Sequence, residues 1–183
     1  MAKRRIKYLA LLISIIIFNH CSSRYSQTEV DQILTPERAF SKTSPISIRI
    51  PFGWREIDAN DSTFIDLWLI SDDYKSSLSL IPLHSDNAKR SFSHWISVSK
   101  LSNKMKFKNM KLVMSDEEIV EINEIDCHFY NFRDNDSFYR ISIFQFEENY
   151  FELTALENNI SNDTSSKLQL LNQIQNAVIG SIE

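Results

Sequence analysis

Glycine is almost missing from this 183-residue chain, with Gly53 and Gly180 its only two. That scarcity excludes the phosphate cradles of nucleotide enzymes, because a P-loop or a G-x-G-x-x-G turn needs several glycines to bring backbone N–H groups onto a phosphate. Cysteine is just as rare: Cys21 and Cys127 provide no disulfide framework, so stability must come from packing. His84, His94 and His128 lack metal-ligand spacing, and the chain has no H-E-x-x-H pair and no G-x-S-x-G elbow. Motifs therefore lead to no expected catalytic residue, metal site or cofactor.

A long apolar run is missing too. The longest, residues 8–18, holds eleven residues broken only by Ser14. At about 1.5 Å per helical residue it falls short of a bilayer core of about 30 Å, which takes roughly 20 residues. Lys3, Arg4, Arg5 and Lys7 precede it and Cys21 follows at once, leading into Ser22, Ser23 and Ser26. Basic end, short apolar core and polar exit make an export signal.

A cysteine directly behind such a core resembles the lipobox of bacterial lipoproteins, in which the thiol is diacylated and becomes the first residue of the mature chain. Phe18 stands where the family places an apolar residue, while Asn19 and His20 stand where it prefers small ones. His20 is the sharper departure, and the alternatives are ordinary cleavage after Ser23 or an uncleaved anchor. The resemblance implies a signal peptide over 1–20, lipidation at Cys21 and a membrane partner bound through its acyl chains. Residues 21–45, polar and punctuated by Pro36 and Pro45, then read as a tether. Its weak apolar patch is Val30, Ile33 and Leu34.

Positive charge is short in what remains. Discounting the four N-terminal cations from 20 basic side chains leaves 16 against 24 acidic ones, a formal net of −8. Nucleic acid is excluded as a partner, since phosphate binding calls for a basic surface. With 43% apolar and 11% aromatic residues the chain can fill a core, and residues 46–183 suit one domain of ordinary size.

Within that domain Ile46, Ile48 and Ile50 alternate with polar residues as a half-buried strand, and Gly53 beside Trp54 suits a turn of positive φ. Residues 64–70 and 77–83 read as a hairpin, with Pro82 at an edge or exit. Phe92, Trp95, Ile96, Val98, Leu101 and Met105 then form an apolar stripe of helical period behind a Ser91 cap. Residues 118–122, 125–132, 137–146 and 150–156 read as a four-strand meander. A last helix over 163–182 carries Leu168, Leu171, Ile174, Val178 and Ile182 on one side.

The expected fold is α+β: a mostly antiparallel six- or seven-stranded sheet covered by two amphipathic helices, an α/β/α sandwich. That order, with Ile50, Pro51, Gly53 and Trp54 at its start, resembles the superfamily of photosystem oxygen-evolving subunit P and the nuclear-transport factor Mog1. The resemblance implies binding and scaffolding more than catalysis.

Four features invite a site. Asp126, His128 and Tyr130 share one face of a strand, half of a general-base arrangement for which a serine would have to come from elsewhere; the plainer reading is a polar sheet face. Trp54, Trp68 and Trp95 either line an apolar pocket or belong to the core. Lys100, Lys104, Lys106, Lys108 and Lys111 gather at and beyond a helix end, and Cys127 reads as a buried small hydrophobe. The function expected is that of a membrane-anchored envelope lipoprotein, a non-catalytic binding or assembly module for a protein partner, facing away from the cytoplasm. The alternative is a carrier or sensor of an apolar small ligand held between sheet and helix.

Overall fold

The computed structural model describes residues 27–58, 64–84, 90–107, 115–133, 136–158 and 165–183. The signal segment, Cys21, Lys108 and Lys111 lie outside the described residues. Among those described, the elements run α1 (Gln27–Ile33), β1 (Leu34–Phe40), β2 (Ser47–Pro51), β3 (Trp54–Glu56), β4 (Leu67–Ser71), β5 (Ser76–Leu83) and α2 (Phe92–Lys106). They continue with β6 (Ser115–Ile122), β7 (Ile125–Arg133), β8 (Ser137–Phe146), β9 (Asn149–Asn158) and α3 (Ser165–Gly180).

Seven strands form one sheet in the order β3-β4-β5-β9-β8-β7-β6, antiparallel at every pairing, and β1 and β2 form a separate pair. The meander follows from its short turns. Asn123 and Glu124, with φ of 47° and 68°, make the two-residue left-handed turn whose twist matches the strands of a hairpin. At the β8–β9 hairpin Glu147 takes the positive φ, 53°, and Asn149 opens β9. Gly53 has φ 73°, as the turn before Trp54 requires. Pro82 lies past the last β4 pair, Leu67 with Leu80, where its missing N–H costs no ladder bond to that neighbour.

Alternate residues face opposite sides, and both sides are covered. Toward α3 the sheet presents Leu69, Leu78, Phe129, Phe144, Phe151 and Leu153, packed with Leu171, Ile174 and Val178 of the helix and Ile48 of β2. Toward α2 it presents Tyr130, Phe132, Ile141 and Ile143, packed with Trp95.

The expected tether gives way from Gln27 onward. Val30 of α1 and Leu34 and Ala39 of β1 are buried in the larger core, so α1 and β1 belong to the folded body. Pro36 is accommodated because β1 pairs only with β2 and its register shifts between Leu34 and Arg38. The pair is tied down at both ends. Arg49 Nη1 meets Asp31 Oδ1 at 2.6 Å, while Ser47 and Glu183 exchange backbone hydrogen bonds of 2.9 and 3.2 Å. The strand expected from residue 64 begins at Leu67 instead, and Phe64 is exposed.

Arg140, in the middle of β8, holds α3 to the sheet. Its guanidinium lies 3.7 Å from the Phe129 ring centre. Nη1 donates to Gln175 Oε1 at 2.9 Å and Asn176 Oδ1 at 2.7 Å, and Nη2 donates to Glu118 Oε1 at 2.8 Å. Gln175 answers by donating to Leu153 O at 2.8 Å and Arg140 O at 3.1 Å. Replacing Arg140 by Met strands the buried Gln175 and releases Asn176 and Glu118, and urea unfolding is expected to show a loss of about 2–4 kcal/mol with an unchanged m value.

Candidate functional site

Helix α2 is built the wrong way round for a helix packed on a sheet. Ser91 caps it, accepting from His94 N at 3.3 Å. Its buried residues are Trp95, Ser99 and Asn103, so two of the three are polar. Val98, Leu101 and Met105, expected in the core, are 39%, 61% and 71% exposed. At 100° per residue these three fall within an arc of about 60°, centred about 130° from the buried residues. They point away from the sheet. The stripe expected from the sequence thus divides: Phe92, Trp95 and Ile96 go to the smaller core, and the other three to the surface.

The reason lies beneath the helix. Glu152 of β9 is buried on the α2 side, and its carboxylate needs donors. Ser99 Oγ donates to Glu152 Oε2 and bonds the Tyr130 hydroxyl; Asn103 Nδ2 donates to Tyr130 Oη at 3.0 Å. Thr154 Oγ1 donates to Glu152 Oε1 at 3.3 Å. Burial and the neighbouring Glu152 charge push the Tyr130 phenol well above its ordinary value, so it stays protonated. The polar side of α2 is therefore spent on the sheet, leaving the apolar residues outside.

The expected cluster on β7 separates in the structure. Asp126, His128 and Tyr130 do share a face, but Asp126 is exposed and Glu117 of β6 is the carboxylate beside His128, with Oε2 3.4 Å from Nε2. Neither ring nitrogen has a hydrogen-bond partner among the described residues. Ser99 is the serine nearest in role, yet it is buried and serves Glu152 rather than His128. Lys100, grouped with the basic residues in the sequence, turns to Glu117 at 2.7 Å and lies over the Tyr130 ring. Lys104 and Lys106 remain exposed beside Met105. Cys127 is buried on the opposite face, its thiol pushed up to about 12 by burial, and so does not act as a nucleophile at neutral pH. The three tryptophans do not meet: Trp95 is in the smaller core, Trp68 faces the same side of the sheet from β4, and Trp54 faces the α3 side.

A cleft of about 260 Å³ opens at that last place, lined by Trp54, Ser71, Asp73, Ser76 and Glu157 below and by Lys167, Leu170, Leu171 and Ile174 of α3. Sequence reasoning missed Glu157, as it missed Glu152 and Arg140. The available signal was a charged residue inside a long strand flanked on both sides by other strands.

Among the described residues no helix is long and apolar enough to cross a membrane, and no three His, Cys, Asp or Glu side chains gather to hold a metal ion.

No family model matches the chain, and no curated protein matches it in sequence. In structure it is similar to the Ran-binding protein Mog1p of Saccharomyces cerevisiae, at 8% identity and a TM-score of 0.54, over 82% of this chain and 95% of that one. It is also similar to LpqN of Mycobacterium tuberculosis, a protein involved in cell envelope biogenesis (12% identity, TM-score 0.43, 88% and 98% covered). A Bacteroides thetaiotaomicron protein matches at 14% identity and a TM-score of 0.43, over 75% of this chain and 44% of that one, so the chain spans less than half of that protein's length. The architecture is that of an α+β sandwich with the fold of Mog1p.

Burial first, and the Lys100 charge second, hold His128 below its ordinary value of 6.5, with Glu117 opposing them. As pH falls below 6.5 the unfolded chain takes up a proton that the folded one resists, so stability present above 6.5 is lost toward the lower folded value. Thermal unfolding followed from pH 7.5 to 5 is expected to show this decline in the wild type and a flatter profile in His128→Gln.

Proposed function

We propose that the chain is a lipoprotein of the cell envelope, anchored through acyl chains on Cys21, that binds a protein partner through the outer face of α2 without catalysis. The observation that carries this reading is the exposed row of Val98, Leu101 and Met105 on a helix whose sheet-facing side is polar. A soluble domain gains nothing from apolar residues gathered there unless something covers them. Lys104 and Lys106 rim the row, so the partner surface is apolar with acidic edges. A bare lipid surface fits less well, because a domain of formal charge −8 is repelled by anionic headgroups. That Mog1p, a protein of the same fold, is Ran-binding supports protein recognition as a use of this scaffold.

Anchoring supports the same use. Buried acyl carbons contribute about 0.8 kcal/mol per CH₂, so two chains hold the domain at the membrane, where a short link raises its effective concentration near other anchored proteins. With α1 and β1 folded into the body, the described fold begins at Gln27, six residues after Cys21 in the chain.

Two measurements test the reading. Incorporation of labelled palmitate is expected in the wild type and absent in Cys21→Ser; labelling that survives the substitution removes the anchor. For the docking face, a photo-crosslinking residue at position 101 in living cells is expected to give one discrete adduct with an envelope protein, with none from position 74 in the exposed β4–β5 turn. Met105→Asp is expected to abolish the adduct while changing stability by no more than about 0.5 kcal/mol. An adduct pattern identical at the two positions refutes the docking face.

A further inference from the structure

The cleft beside Trp54 has no part in the reading of α2 and lies on the other face of the sheet. Its floor is a pair of facing residues, Ser76 of β5 and Glu157 of β9, which stand directly opposite in the ladder. Glu157 is only 5% exposed. One carboxylate oxygen, Oε2, accepts the Ser76 hydroxyl, and among the described residues no other side chain bonds either oxygen and no cation pairs with the group. A carboxylate so far out of water is costly unless a positive charge or several donors compensate it. The other buried carboxylate on this strand, Glu152, has Ser99, Asn103 and Thr154 around it. Glu157 has one hydroxyl and an opening.

The rest of the cleft matches that vacancy of charge. Asp73 stands exposed at the same wall, ion-paired with Lys75 Nζ at 3.7 Å, and is held below the usual carboxylate range by the Ser71 hydroxyl at 2.7 Å and the Lys75 backbone N–H at 3.1 Å, so its carboxylate stays ionised at neutral pH while Glu157 remains the one without a cation among the described residues. Trp54 offers an indole beside the two carboxylates, and Leu170, Leu171 and Ile174 make the opposing wall apolar. An aromatic plane, an apolar wall and acidic groups below are the components that bind an organic cation. At about 260 Å³ the space suits a single short chain rather than a lipid or a large apolar molecule.

We infer that this cleft binds a primary ammonium group on a short alkyl stem, with the charge on Glu157 and the stem between Trp54 and the α3 wall. The shared chemistry covers two sources, a free alkyl amine and the lysine side chain of a polypeptide. Lys167, exposed at the mouth, opposes a cation entering from its side and favours a ligand whose far end is neutral or acidic.

The test follows the Trp54 indole N–H resonance, assigned with Trp54→Phe, in the full-length chain. Butylammonium is expected to shift it saturably, whereas butanol and butyrate of the same stem leave it in place. Glu157→Gln, which keeps the shape and removes the charge, is expected to weaken butylammonium about tenfold or more. Leu170→Lys sets a rival cation at the mouth on an exposed helical position, and is expected to weaken it similarly without disturbing the core. N-acetyl-lysinamide binding more tightly than butylammonium identifies a polypeptide lysine as the source, and the reverse order identifies a free amine. Equal binding of butanol or butyrate, absence of a saturable shift, or unchanged affinity in Glu157→Gln overturns the inference. Should Glu157→Gln fail to fold, unchanged affinity in Leu170→Lys overturns it instead.

Discussion

The buried guanidinium of Arg140 sets the position of everything on one side of the sheet. A charge that deep is tolerated because acceptors from two elements converge on it, Glu118 on β6 and Gln175 and Asn176 on α3, with the Phe129 ring beneath. The helix is thereby locked in rotation and height over β8. Its far end then receives the β1–β2 pair, where Arg38 donates to Ser181 O at 2.6 Å and Arg49 N donates to Ser181 Oγ at 3.0 Å. Its near end forms the wall of the Trp54 cleft. Placement of one cation links the β1–β2 pair, the terminal residues and the cleft.

The other side of the sheet obeys a different constraint. Glu152 brings a carboxylate under α2, and the helix meets it with Ser99 and Asn103 rather than with leucines. A helix has only one stripe to turn inward, so spending it on polar donors drives Val98, Leu101 and Met105 outward. Internal chemistry and surface composition are therefore coupled. The polar underside gives α2 a specific seat and leaves an apolar row on its outside. Neither arrangement supplies a nucleophile beside a base, since Ser99 is buried on Glu152 and His128 faces Glu117.

Most of the architecture was legible in the order of the residues. Alternation marked the strands, the short polar connections dictated antiparallel neighbours, and the 3.6-residue spacing of Leu168, Leu171, Ile174 and Val178 marked α3. Of the β1–β2 pair only β2 was legible, from Ile46, Ile48 and Ile50; Pro36 and the charged residues around it mask β1, and the short apolar patch of Val30 and Ile33 is too small to set α1 apart from a tether. Sites were harder than strands for a related reason. In a sheet covered on both faces, alternation no longer separates inside from outside, so Arg140, Glu152 and Glu157 look like solvent-facing residues until the helices are in place.

The sequence by itself determined the class of fold, the strand-rich order and the absence of nucleotide and metal motifs. These depend on local spacing and composition, which the linear chain carries in full. Only the tertiary structure decided which side of α2 is buried, which carboxylate stands beside His128, and where Glu157 lacks a cation. Those outcomes depend on partners on different elements, such as Glu117 with His128, Ser99 with Glu152 and Ser76 with Glu157. Their pairing is settled by sheet register and helix placement rather than by any neighbour in the chain.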